Sequence, residues 1–64
     1  MFLNIEAERI RRYMSKSELA RKLDVETTVL NDWISQKRAI PASKLLALSV
    51  LFDGCSVDYL LKMR

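Results

Sequence analysis

The sequence predicts an all-α fold: a compact bundle of five short helices forming one domain over residues 1–64. Three observations predict it. Apolar residues recur at three- and four-residue steps along the whole chain. The period-two alternation of β-branched residues that marks strands is absent. One glycine and one proline are too few to turn a set of hairpins.

The first helix is expected over about residues 3 to 12. Leu3, Ala7, Ile10 and Met14 share one face and are read as its apolar side; Glu6, Glu8, Arg9, Arg11 and Arg12 fall off it. Asn4 is available to cap a slightly later start. Ser15 followed by Glu18 is a capping-box signature, so Ser15 caps a second helix running from Lys16. That helix turns Leu19, Ala20 and Leu23 inward and Arg21 and Lys22 outward. Asp24-Val25-Glu26 breaks it, because Asp tolerates the left-handed region better than most non-glycine residues.

Thr27 to Ile34 forms the third helix, with Leu30, Trp33 and Ile34 on one face. At that spacing Trp33 is a core residue. Residues 35–40 are a polar connection. Pro41 suits the first turn of a fourth helix, in which Leu45, Leu48, Ser49 and Phe52 share a face that Leu46, Val50 and Leu51 widen. As the most apolar segment it is expected to be central. Gly54 is its expected C-terminal cap. Ser56 caps a fifth helix carrying Val57, Leu60 and Leu61. Cys55 reads as a small half-buried residue and Tyr59 as a packing or dimer-surface residue.

Composition excludes most chemistry. There is no histidine, so there is no Ser-His-Asp or Cys-His machinery and no histidine-ligated metal. A single cysteine forms neither an internal disulfide nor a cysteine cage. A lone glycine excludes a phosphate-binding glycine loop. No enzyme, cofactor or metal is expected, and a binding module is. Met1-Phe2-Leu3-Asn4 lacks the basic start and apolar core of a signal peptide, and no apolar run is long enough to span a membrane. A cytoplasmic protein is expected. The net charge of +3, from 11 Lys and Arg against 8 Asp and Glu, is mildly basic and compatible with a polyanionic partner.

The specific feature is the middle pair of helices. Leu19 and Leu23 face Leu30 and Trp33, Val25 plugs the turn, and small Ala20 lets the two helices cross closely. Here the sequence resembles the helix-turn-helix domain of the lambda repressor and Cro-like family. Residues 15–25 are similar to the family's second helix and turn, and Leu30 and Trp33 stand at its buried recognition-helix positions. Ile40 to Leu46 and Ser56 to Leu61 resemble its fourth and fifth helices, and Ala7-Glu8-Arg9 with Arg12 its first. Three positions depart from the pattern. Asp24 stands where the family usually has Gly, and Lys16 where it usually has Gln. The junction Phe52 to Cys55 is one residue longer.

The resemblance implies sequence-specific binding of double-stranded DNA by a repressor-like regulator of bacterial or phage type, with the third helix in the major groove. Its base-facing candidates are Thr27, Thr28, Asn31 and Asp32. Thr methyls suit thymine, Asn31 suits adenine, and Asp32 suits cytosine N4. Phosphate candidates are Ser15, Lys16 and Ser17 at the start of the second helix, and Lys37 and Arg38 after the third. Arg9 or Arg12 flank the same face.

Residues 24–33 hold Asp24, Glu26 and Asp32 and no Lys or Arg. With so few cations, a homodimer on half-sites about one helical turn apart is expected. A C-terminal effector domain beyond Arg64 is a further expectation. The acidic helix also supports the alternative of a protein-interaction module of the same fold, an antitoxin or adaptor with a protein partner.

Overall fold

The computed structural model describes residues 1–63, which form five helices and no strand. They are α1 (Leu3–Arg11), α2 (Lys16–Lys22), α3 (Thr27–Ile34), α4 (Ala42–Leu51) and α5 (Val57–Leu60). Their positions follow the sequence signals closely. Their ends show how so short a chain turns so often.

Serine starts two of the helices. The Ser15 hydroxyl accepts from the Glu18 backbone N–H at 3.1 Å, and the Glu18 carboxylate accepts from the Ser15 N–H, completing the capping box. The Ser56 hydroxyl accepts from Tyr59 N–H at 3.1 Å. Asn4 is not a cap: it lies inside α1, buried, and its amide donates to the Tyr59 carbonyl at 2.7 Å. Pro41 is not in the first turn either. It is the extended residue just before Ala42, and its carbonyl accepts from the N–H groups of Lys44 and Leu45.

Helices α1 to α4 all end in one way. A residue just past each helix takes a left-handed conformation: Tyr13 (φ 55°), Asp24 (59°), Gln36 (67°) and Asp53 (58°). In each case the next N–H returns to a carbonyl five residues back: Met14 to Arg9, Val25 to Ala20, Lys37 to Asp32 and Gly54 to Ser49. These are Schellman closures, which satisfy the last free carbonyls of a helix. Asp24 therefore adopts the conformation its position predicts. At the end of α4 the expected role of Gly54 falls to Asp53, and Gly54 follows it with φ 82°.

The core comprises Ile5, Leu19, Ala20, Leu23, Leu30, Trp33, Ile34, Leu48, Phe52 and Leu60. α2 packs most extensively on α3, while α1 lies against α3 and α5, and α5 also meets α4. The whole measures 24 × 24 × 21 Å.

Two expected faces are corrected. In α1 the stripe Leu3, Ala7 and Ile10 points to solvent, with Ile10 60% exposed; only Met14 of that set packs on the core. The buried face holds Asn4, Ile5 and Glu8. Glu8 is 3% exposed because its charge is matched. Arg12 donates to its carboxylate at 2.6 Å, the Tyr59 hydroxyl at 2.9 Å and Arg11 at 3.4 Å. A buried carboxylate survives only with such partners. In α4 the buried face is narrower than expected: Leu48 is buried, with Phe52 just beyond, whereas Leu46 and Val50 are 65% and 78% exposed. The helix lies at the side of the bundle rather than at its centre.

Candidate nucleic-acid interface

The interface is built on the inward faces of α2 and α3. Leu19, Ala20 and Leu23 of α2 and Leu30, Trp33 and Ile34 of α3 are all buried, and Val25 packs on them from the turn. Ala20 has no side chain beyond Cβ, so it admits a close crossing. The turn is held from outside as well. Lys44 of α4 donates its ammonium to the Leu23 carbonyl at 2.6 Å, at the negative end of α2.

With those faces fixed, the helical period decides what points outward. Thr27, Asn31, Ser35 and Thr28 fall within an arc of about 100°. Thr28, Asn31 and Ser35 are exposed and Thr27 is half-buried. Among the described residues, the Asn31 amide and both Thr hydroxyls have no hydrogen-bond partner, so they face solvent with their donors and acceptors unengaged. This is a neutral hydrogen-bonding surface about one helix wide.

Asp32 lies at the edge of that surface and is half-buried. Its carboxylate pairs with Arg38 Nε at 3.1 Å, and its carbonyl accepts from the N–H groups of Lys37 and Arg38. The structure therefore brings together a candidate base contact and a candidate phosphate contact. Arg38 neutralises the one carboxylate on the outer face of α3 through Nε, and its Nη groups make no hydrogen bond among the described residues. Glu26, exposed at the N-terminus of α3, has no such partner among the described residues.

Several cations of α2 and of the loop after α3 are uncommitted. Lys16, Arg21, Lys22 and Lys37 enter no ion pair among the described residues. Lys16 follows Ser15 at the start of α2 and lies close enough to Glu6 to help hold its carboxyl below the ordinary range, after the larger effect of the Arg9 hydrogen bond. Ser15 is occupied by its capping duty, and Ser17 is exposed.

Arg9 and Arg12 are committed to the interior framework. Arg9 grips Glu6 through two hydrogen bonds of 3.0 and 2.8 Å and donates to the Met14 carbonyl. Arg12 holds Glu8 and Asp53 and covers the Phe52 ring at 4.9 Å. Glu8 is accordingly held below the usual carboxylate range, first by Arg12 and then by Tyr59, against the opposing effect of burial. The Tyr59 hydroxyl is pushed up by the same hydrogen bond.

Two residues of this face are absent from the sequence-based set. Ser35 continues the α3 surface four residues after Asn31, and Arg21 borders a groove with Asp24, Val25, Glu26 and Thr27 at the start of α3. Both carried a signal. Ser35 is at the i+4 position from Asn31, and Arg21 is at the i+4 position from Ser17, an exposed residue on the same helix.

No helix among the described residues is long and apolar enough to cross a membrane. A family model described as helix-turn-helix matches residues 5–60, from the first turns of α1 to the last residue of α5. No curated protein and no solved structure matches the chain.

Proposed function

Because the chain belongs to the helix-turn-helix family of Cro/C1 type, a DNA-binding regulatory family, we propose that it is a repressor-like regulator that reads duplex DNA through α3. The observation that carries this reading is the outward face of α3, where solvent-facing Thr28 and Asn31 have their polar groups unengaged; Lys16 at the start of α2 and Lys37 just after α3 enter no ion pair among the described residues. Neutral amides and hydroxyls discriminate base edges, and cations beside them neutralise phosphates.

In this reading α3 enters the major groove from its N-terminal end. Asn31 pairs bidentately with adenine, and the methyls of Thr27 and Thr28 contact thymine. Asp32 accepts from cytosine N4 only by exchanging Arg38, so it is the most conditional contact. Ser15, Lys16 and Ser17 meet one phosphate strand and Lys37 and Arg38 the other. So few cations give one domain a small electrostatic contribution, because each neutralised phosphate adds only about 0.9 to the slope of log affinity against log salt. Two copies related by a two-fold axis, on half-sites about 34–36 Å apart, supply the rest. The cytoplasm, with its nucleoid, is the compartment in which such a regulator works.

Selection of bound sequences from random duplex DNA tests the reading. The expected product is a palindrome with half-sites about one helical turn apart. Recovery of unenriched sequence overturns sequence-specific reading, and enrichment of a single unpaired half-site overturns the homodimer.

A second reading, a protein-interaction module such as an antitoxin or adaptor, draws on the exposed Leu46 and Val50 of α4. A stable protein partner that buries Leu46 and Val50, with no binding of duplex DNA by the chain at low salt, decides for it.

A further inference from the structure

Behind the C-terminal end of α3 the chain leaves a cleft of about 400 Å³. That is within the range of small-molecule sites. Phe2, Ile40, Leu45 and Leu61 give it an apolar floor drawn from four separate segments. Its walls are tied in place: the Phe2 N–H donates to the Ile34 carbonyl at 2.9 Å, which fastens the N-terminal segment to the end of α3.

The polar part of the lining has one sign. Arg38 and Gln36 border the cleft, and no Asp or Glu does. The backbone N–H groups of Ala39 and Ile40, also in the wall, donate to no acceptor among the described residues. Asp32 uses the Nε of Arg38 and leaves both terminal nitrogens, the pair that a carboxylate takes in a fork. A hydrophobic floor with a cationic, donor-rich edge complements an apolar body carrying one negative charge.

We propose that this cleft is a binding site for a small amphipathic monocarboxylate, its alkyl or aryl part on Phe2, Ile40, Leu45 and Leu61 and its carboxylate on Arg38. The site stands independently of DNA binding. Where Arg38 also serves a phosphate, as the proposed function has it, such a ligand competes with DNA for that side chain and acts as an effector.

The test is a titration of the full chain, without DNA, followed by the methyl resonances of Ile40, Leu45 and Leu61. The probes are octanoate, octanol and octylammonium. Octanoate is expected to shift these methyls saturably, at least tenfold more tightly than octanol, with octylammonium weaker still. Arg38→Ala and Arg38→Gln are expected to remove the preference for octanoate and leave octanol unchanged. The comparison of octanoate with octanol on the unaltered chain holds whatever the variants do to folding. Equal affinity for octanoate and octanol overturns the proposal, and so does the absence of saturable shifts. A shift of the same methyls with protein concentration alone assigns the cleft to a second copy of the chain and overturns it too.

Discussion

Glu8 concentrates the polar energetics of the molecule in one side chain. It ties α1 to α5 through the Tyr59 hydroxyl and orders Arg12, which in turn reaches Asp53 and lies over Phe52. Glu8→Ala takes the buried acceptor from the Tyr59 hydroxyl and from Arg12, which keeps Asp53, so it is expected to lower the unfolding free energy by about 2 kcal/mol in urea titration. The sign of its pH dependence follows from its depressed ionisation. The unfolded chain takes up a proton near pH 4.5, while the folded chain resists until lower pH. The Glu8 contribution is therefore complete above about pH 4.5 and disappears as pH falls through the folded value. Acid titration of Glu8→Gln is expected to show a shallower loss of stability over that interval than the unaltered chain. Legibility at this scale follows the range of each residue's partners. Ser15 and Asp24 act on neighbours a few positions away, and Trp33 shows its buried face by its spacing from Leu30, so their roles are plain in the sequence. Glu8 depends on Tyr59, 51 residues away, and the same is true in kind of the cleft edge that Arg38 shares with Phe2 and Leu61.

At the scale of elements, the chain ends four helices with left-handed residues that are not glycine. Asp is among the residues that tolerate this conformation, whereas Tyr13 is a bulky one, and at 95% exposed it packs on little else. Tyr13→Gly is therefore expected to stabilise the fold by about 1 kcal/mol, seen as a rise in Tm of about 4–8 °C for a domain this small. No change, or a fall, means that the Tyr13 side chain makes a contribution that its exposure does not reveal. Helix positions were legible because caps and turn residues act locally. Which face of α1 turns inward was not. Asn4, Glu8 and Arg12 repeat every four residues just as Leu3, Ala7 and Ile10 nearly do, so the spacing supports two opposite orientations. Tertiary pairing with α5 chooses the polar one. In α4 the apolar residues run round most of the helix, and periodicity alone does not mark Leu46 and Val50 as exposed.

The whole molecule is a frame that presents α3. α1 and α5 are joined through Asn4 and Glu8, α4 holds the turn through Lys44, and among the described residues the backbone of α3 bonds only within its own helix, to its closing turn and to Phe2. This architecture was legible from the combined register of five helices, and Thr27, Thr28 and Asn31, the residues proposed to contact bases, emerge on one outward face of α3. The pairing of Asp32 with Arg38 was not legible, since it depends on the path of the loop after α3. It bears on salt dependence: Lys37→Ala is expected to weaken binding about equally on all duplexes and to reduce the salt slope by about 1 per domain, measured by fluorescence anisotropy between low and moderate salt.

The central claim, that α3 reads bases, rests most directly on Asn31. The decisive measurement is the affinity of Asn31→Ala for a selected duplex and for a scrambled duplex of the same length, at fixed salt. The expected result is a loss of about tenfold or more on the selected duplex, from the bidentate contact, and little change on the scrambled one. An equal loss on both, or no binding to either by the unaltered chain at low salt, contradicts it.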